Sequence, residues 1–270
     1  MYSQAQSTAF HKVSYIVARR HLPNSFNTVS NFFNLLNEIE LNNKTTKQLN
    51  RIADLWNGQI PRGRVADSTR SVFFDLKNFI HEKELDEHII SDYLKARSLY
   101  YRKFRLNTKE DQLEYLHSVV EQEGVLFCYG NGYSERQLDF FKQDAKVNFL
   151  LSCLSEIAVN YEEINLIIPA SDLRRYGLSH ISYSAYKKHP GEFREFIERF
   201  SEEILYYQKI AKRFSSKLPM KFKLAKKLEY SANRSLLNKI TAQPDWIFYN
   251  EPQALNLYRL KNSISRRLYA

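Results

Sequence analysis

Residues 144–177 read DAKVNFLLSCLSEIAVNYEEINLIIPASDLRRYG, and their spacing decides the architecture. Val147, Leu150, Leu151, Leu154, Ile157 and Ala158 recur at three and four residues, which predicts a helix with one buried apolar face. The helix is expected to fade near Asn160 and Tyr161. The apolar run Leu166-Ile167-Ile168 ends at Pro169, which has no amide proton and cannot continue a helix. Ser171 and Asp172 are placed to cap the short turn that follows, and Gly177 to close it.

The same periodicity extends outward in both directions. Thr108-Lys109-Glu110-Asp111 fits a capping box, opening a helix with Leu113, Leu116, Val119 and Val120 inward. Past Gly124 it continues through Val125, Leu126 and Phe127, and residues 130–137 read as a loop. Upstream, residues 87–104 carry Ile89, Ile90, Tyr93, Leu94, Leu99 and Tyr100, and residues 67–81 carry Val72, Phe73, Leu76, Phe79 and Ile80. Residues 45–61 place Leu49, Ile52, Ala53, Leu55 and Trp56 inward before the break at Gly58 and Pro61-Arg62-Gly63. A helix capped by Asn24 or Ser25 has Phe26, Val29, Phe32, Phe33, Leu36 and Ile39 as core positions, and residues 11–23 form the helix before it. Downstream, residues 190–215 and 219–240 are two long amphipathic helices. Phe193, Phe196, Ile197, Phe200, Ile204, Leu205 and Tyr207 face inward in the first. In the second the inward positions are Phe222, Leu224, Ala225, Leu228, Ala232, Leu236 and Leu237. Pro244 and Pro252 punctuate the tail, and residues 255–268 close it as a basic helix.

Composition narrows the class. With 43% hydrophobic residues in 270 and only 7 Gly and 7 Pro, the chain can bury a large core with few breaks, so one mostly helical domain over residues 1–270 is expected. No apolar run approaches the roughly 20 residues that span a bilayer, and the N-terminal residues lack the apolar stretch of a secretory signal. A soluble cytoplasmic protein is the expectation. Cys128 and Cys153 sit in apolar surroundings and read as reduced core residues, and the seven histidines show no zinc spacing. The formal charge of +10, densest in residues 209–227 and 261–267, suits diphosphates or an anionic membrane surface, with no module for specific nucleic-acid binding. Solvated helix faces would account for the same charges.

The "HLP" of residues 21–23, the IIPASDLRRYG segment at 167–177 and the C-terminal WIFYNEPQALNLYRLKNSISRRL resemble squalene/phytoene synthases, the head-to-head prenyltransferases. The resemblance implies an all-α isoprenoid-synthase bundle around a central cavity. In that family two aspartates one helical turn apart stand on each of two facing helices and hold Mg2+ against a prenyl diphosphate. Counting back from Pro169, the second pair of positions holds Glu156 and Asn160, the preceding arginine position holds Ser155, and a glycine-arginine pair is replaced by Ile164-Asn165. The first pair falls in Asn37-Glu38-Ile39-Glu40-Leu41-Asn42-Asn43, where no register gives two aspartates a turn apart. Glu38 and Glu40, two residues apart, do not share a helix face. Positional candidates for catalysis are therefore Glu38, Glu40, Glu156 and Asn160. By the same resemblance, Arg19, Arg20, Ser152, Ser155 and Asn165 are substrate-binding candidates.

Magnesium prefers near-octahedral oxygen ligation at about 2.1 Å, so exchanging Asp for the longer Glu or the neutral Asn alters both reach and charge. Two expectations follow. The first is a member of the family that has lost Mg2+-dependent condensation, needs no cofactor, and binds an isoprenoid, another lipid or a protein partner. A precedent is the mitochondrial complex I assembly-factor branch, which keeps the fold without an intact aspartate pair. The second is an atypical prenyltransferase or prenyl diphosphatase using Mg2+ at Glu156, Asn160 and Glu163. A peripheral position on an anionic membrane is compatible with both.

Overall fold

The computed structural model describes residues 24–40, 45–58, 67–102, 106–156 and 168–249, and every regular element among them is helical. In chain order these are α1 (Asn24–Glu40), α2 (Thr45–Trp56), α3 (Asp67–Glu82), α4 (His88–Arg102) and α5 (Lys109–Tyr115). A π-helical turn, Leu116–Val120, joins α5 to α6 (Glu121–Gly130). Then follow α7 (Leu138–Glu156), the short α8 (Ala170–Arg175) and α9 (Tyr183–Lys188), the long α10 (Pro190–Phe214) and α11 (Met220–Ala242), and α12 (Trp246–Tyr249). The helices expected at residues 11–23 and 255–268 lie outside the described residues, as do Leu166 and Ile167.

Two apolar clusters fill the interior. Val29, Phe32, Leu36, Trp56, Phe79 and Tyr93 belong to the one built from α1–α4. The other gathers α7, α10 and α11 through residues such as Leu150, Leu151, Phe193, Ile204 and Leu236. Tyr115 and Phe127 pack against both, which makes the α5–α6 rod the seam. α7 has extensive packing against α10 on one side and α6 on the other, so residues 144–156 of the stretch quoted first belong to the central strut.

The α6–α7 packing depends on a missing side chain. A Cβ at Gly124 would stand 2.6 Å from the Phe141 carbonyl oxygen and 2.9 Å from its carbon, so the two backbones meet where only glycine fits. Gly130 similarly lies against Val29, and its carbonyl accepts a 3.0 Å hydrogen bond from Ser25 Oγ. The capping box forms as expected, with Asp111 N donating to Thr108 Oγ1 at 3.2 Å and Thr108 N to Asp111 Oδ2 at 3.1 Å. Gly177 closes α8 at φ 67°, with Leu178 N bonded back to the Leu173 carbonyl.

Four expectations are corrected. Leu113 is exposed and Gln112 is the buried residue of α5, where Gln112 Oε1 accepts from Lys109 Nζ at 2.6 Å. The π turn that follows re-phases the helix, so that Leu116, Val119 and Val120 still reach the core. Leu99 is exposed, and neighbouring Ser98 is buried, donating to Asn50 Oδ1 at 2.6 Å. Ser171 and Asp172 do not cap α8, because its first amides are taken by distant backbone: Ala170 N donates to Leu106 O and Ser171 N to Asn107 O. Leu224 points to solvent, whereas Phe222, Ala225, Ala232, Leu236 and Leu237 are buried as expected and are joined on the inward face of α11 by Lys226, Glu229, Asn233 and Ile240.

Candidate functional site: the polar ridge of the central helix

Asp144, Asn148, Ser152 and Glu156 stand four residues apart on α7 and therefore form one ridge along it. Ser152 Oγ donates to the Asn148 carbonyl at 3.0 Å, and Asn148 Nδ2 to Asp144 Oδ2 at 3.3 Å. Asp144 is held from α11 as well: Lys226 Nζ approaches Oδ2 at 2.6 Å and Tyr230 Oη donates to Oδ1 at 2.7 Å. Lys226 also contacts Glu229 at 3.1 Å, and Gln208 Nε2 of α10 donates to the Tyr230 carbonyl at 3.0 Å. Lys226 is 3% exposed and Asp144 equally so, which places a charged group in each of two facing helices inside the apolar cluster.

The electrostatics follow from that burial. Desolvation alone would discharge the Lys226 ammonium, yet Asp144 and Glu229 outweigh it and hold its pKa above the ordinary value. Burial, reinforced by the Asp144 charge and hydrogen bond, pushes the Tyr230 hydroxyl well up, so it remains a neutral donor. The ridge is thus a locked ion pair with a phenol on its second oxygen.

Other carboxylates, the buried Glu121 and the partly exposed Glu123, Glu203 and Asp172, are also engaged. Glu121, at the start of α6, meets Lys146 Nζ at 2.5 Å and His117 Nδ1 at 3.0 Å, and Lys146 lies 5.1 Å from the Tyr207 ring centroid. Glu123 accepts from Arg97 at 3.1 Å and from Tyr93 Oη at 2.8 Å. Glu203 and Asp172 share Lys109, at 2.5 and 3.8 Å. A divalent cation needs several carboxylate oxygens free to converge on it, and these are paired with lysine or arginine and in part hydrogen-bonded by tyrosine. Among the described residues no cluster of three His, Cys, Asp or Glu is arranged to hold a metal ion. These described carboxylates are engaged with protein partners, and the side chains of Glu38, Glu40 and Glu156 are not among the described residues.

Of the residues singled out from sequence, Ser152 is half-buried, on the ridge and bonded to Asn148. Ser155 and Glu156 are the last two residues of α7, and Glu38 and Glu40 lie in the last turn of α1; their side chains are outside the described residues. Arg19, Arg20, Asn160, Glu163 and Asn165 are outside them altogether. Sequence reasoning missed Asp144, Lys226, Glu229 and Tyr230. A signal was present, since Lys226, Glu229 and Asn233 occupy the same three- and four-residue register as Phe222, Leu236 and Ile240.

The comparisons accord with this architecture. Residues 20–264 match the model of the squalene/phytoene synthase family. No curated protein matches the chain. Among solved structures, squalene synthase HpnC from Alicyclobacillus acidocaldarius superposes with a TM-score of 0.66 at 16% identity, covering 89% of each chain. A dehydrosqualene synthase in complex with ligand gives 0.64 at 14% identity, covering 99% of each. At such identities the structures establish a shared fold, and the family match extends over nearly the whole sequence. The chain belongs to the squalene/phytoene synthase family.

Proposed function

We propose that this protein, read as one domain over residues 1–270, is a squalene/phytoene synthase relative that binds an isoprenoid without condensing prenyl diphosphates. The observation that carries the proposal is the donor set along α7. Glu156 and Asn160 stand in the sequence where the resemblance places the family's aspartates, and Asp144, the buried acid of α7, is occupied by Lys226 and Tyr230. Ionising a prenyl diphosphate requires opposed carboxylates to hold metal against the departing group. Glu156 and Asn160 at one pair of positions, and Glu38 and Glu40 near the other, change both charge and reach relative to paired aspartates. The family is named for its squalene and phytoene synthases, which supports an isoprenoid as the ligand. No resident cofactor is part of this reading. A position on an anionic membrane would bring the protein to where long isoprenoids reside.

The alternative, an atypical prenyltransferase or diphosphatase, draws on the same ridge. Glu156 continues the line of Asp144, Asn148 and Ser152, and with Asn160 and Glu163 it would supply oxygen ligands to one Mg2+. Arg19, Arg20, Ser155 and Asn165 are then the residues to contact the diphosphate.

Thermal unfolding with farnesyl or geranylgeranyl diphosphate, with and without Mg2+, tests the binding reading. A ligand at one hundred times its Kd stabilises by about 2.7 kcal/mol. The expected result is a rise in Tm that does not need Mg2+. No shift with either prenyl diphosphate refutes isoprenoid binding, and a shift seen only with Mg2+ favours the alternative.

A further inference from the structure

Leu224, expected in the core, is 50% exposed, and Met220 one turn before it is 70% exposed. Both stand on the outward face of α11, whose exposed positions continue through Lys223, Lys227 and Arg234. The sequence around them is one-sided. From residue 204 to residue 228 there are eight lysines and arginines and no aspartate or glutamate. Lys226 is the buried one, and the other seven are exposed, none of them ion-paired among the described residues.

The fold gathers these charges at one corner. Lys212 and Arg213 end α10, Lys217 lies in the short Ser215–Lys217 turn, and Lys221 and Lys223 fall in the first turn of α11. Lys212 Nζ reaches across to the Tyr230 ring at 5.9 Å. Burial lowers its pKa, and the like charges of Arg234 and Lys227 lower it further, so cations of both helices are close neighbours. Segment 135–142, which packs beside the turn through a 3.0 Å bond from Gln137 Nε2 to the Lys217 carbonyl, carries Glu135, Arg136, Asp139 and Lys142 and cancels internally.

Helix electrostatics explains only part of this arrangement. Lys212 and Arg213 complement the negative end of α10. Lys221 and Lys223 oppose the positive end of α11, a turn that contains no acid and whose N-cap, Pro219, offers no side-chain acceptor. An external anion would relieve that repulsion and meet free amides as well as ammonium groups.

We infer that the α10–α11 corner is a docking surface for an anionic lipid bilayer, with Met220 and Leu224 seated at the headgroup–acyl boundary and the surrounding lysines and arginines on lipid phosphates. Exposed thioether and isobutyl groups amid cations suit an interface with an apolar layer beneath the charge. A nucleic acid would use the charges and leave both apolar side chains in water. The inference does not depend on whether the chain acts on prenyl diphosphates.

Sedimentation with phosphatidylcholine vesicles, with and without phosphatidylglycerol at about one lipid in three, tests it. Binding to the anionic vesicles alone is expected. Lys221→Gln/Lys223→Gln/Lys227→Gln weakens it about 100-fold, taking about fivefold per cation. Met220→Ser/Leu224→Ser weakens it about tenfold. All these side chains are exposed, so circular dichroism melts of both variants should match the parent. Leu224→Trp reports insertion directly through a blue shift of its emission on anionic vesicles. Failure to sediment with anionic vesicles, an unshifted Trp emission, or binding of duplex DNA in place of vesicles would overturn the inference.

Discussion

Replacing Lys226 by methionine removes the only cation paired with Asp144 among the described residues, and it leaves Asp144 and Glu229 buried without that counter-charge. Methionine keeps most of the apolar stem while removing the ammonium, and with it the 5.9 Å contact of Nζ to the Phe222 ring. Breaking one side of a buried pair costs about 3–5 kcal/mol. At 3% exposure for Lys226 there is little solvent to reduce that penalty. For a chain of this size the loss corresponds to a fall in Tm on the order of 10 °C. Urea denaturation followed by circular dichroism measures it, provided unfolding and refolding curves coincide. Neutralising the whole cluster, in Asp144→Asn/Lys226→Met/Glu229→Gln, should recover most of the stability, because no uncompensated charge is then buried. A Lys226→Met loss below about 1 kcal/mol would match a solvated surface pair and refute the locked ridge.

Gly124→Ala tests the α6–α7 contact by its sign. Helix propensity alone would stabilise by about 1 kcal/mol, whereas a Cβ 2.6 Å from the Phe141 oxygen should destabilise by about 1–3 kcal/mol, as read from the urea midpoint. Thr108→Ala removes the hydroxyl half of the capping box and should cost about 1 kcal/mol in the same assay. Burial pushes the Cys128 thiol from 9.0 up to about 12. Burial, aided by the charges of Glu203, Tyr206 and Glu121, pushes Tyr207 from 10.0 to about 12. The unfolded chain releases these protons first, so their stabilising effect is complete below pH 9 and is lost progressively towards pH 12. Thermal melts between those limits should show a steady fall in Tm, and Cys128→Ser should reduce the slope between pH 9 and 10.

What the sequence revealed was local. The Thr108–Asp111 box, the Gly177 closure, the α10 row and the α7 row from Val147 to Leu154 each involve neighbours within a turn or two, and these are present; Ile157 and Ala158 lie outside the described residues. Cys128 and Cys153 are buried, as their apolar flanks implied. The interior polar network was illegible pair by pair, since Tyr230 and Asp144 lie 86 residues apart. Lys226 and Glu229 were passed over because charged residues in an amphipathic helix are ordinarily on its wet side, which moved the expected inward row to Leu224 and Leu228. The α8 cap failed for a similar reason: the acceptors come from Leu106 and Asn107, more than sixty residues upstream. Family membership was readable because it rests on the order and spacing of landmarks along the chain. The fate of Asp144 needed tertiary structure.

Prenyl diphosphate turnover tests the central claim most directly. The purified protein is incubated with farnesyl or geranylgeranyl diphosphate and Mg2+, and released diphosphate and hydrocarbon product are quantified. The proposed loss of opposed aspartates predicts no release above the protein-free control. Mg2+-dependent turnover that disappears in Glu156→Ala would contradict it and establish an active, altered metal site.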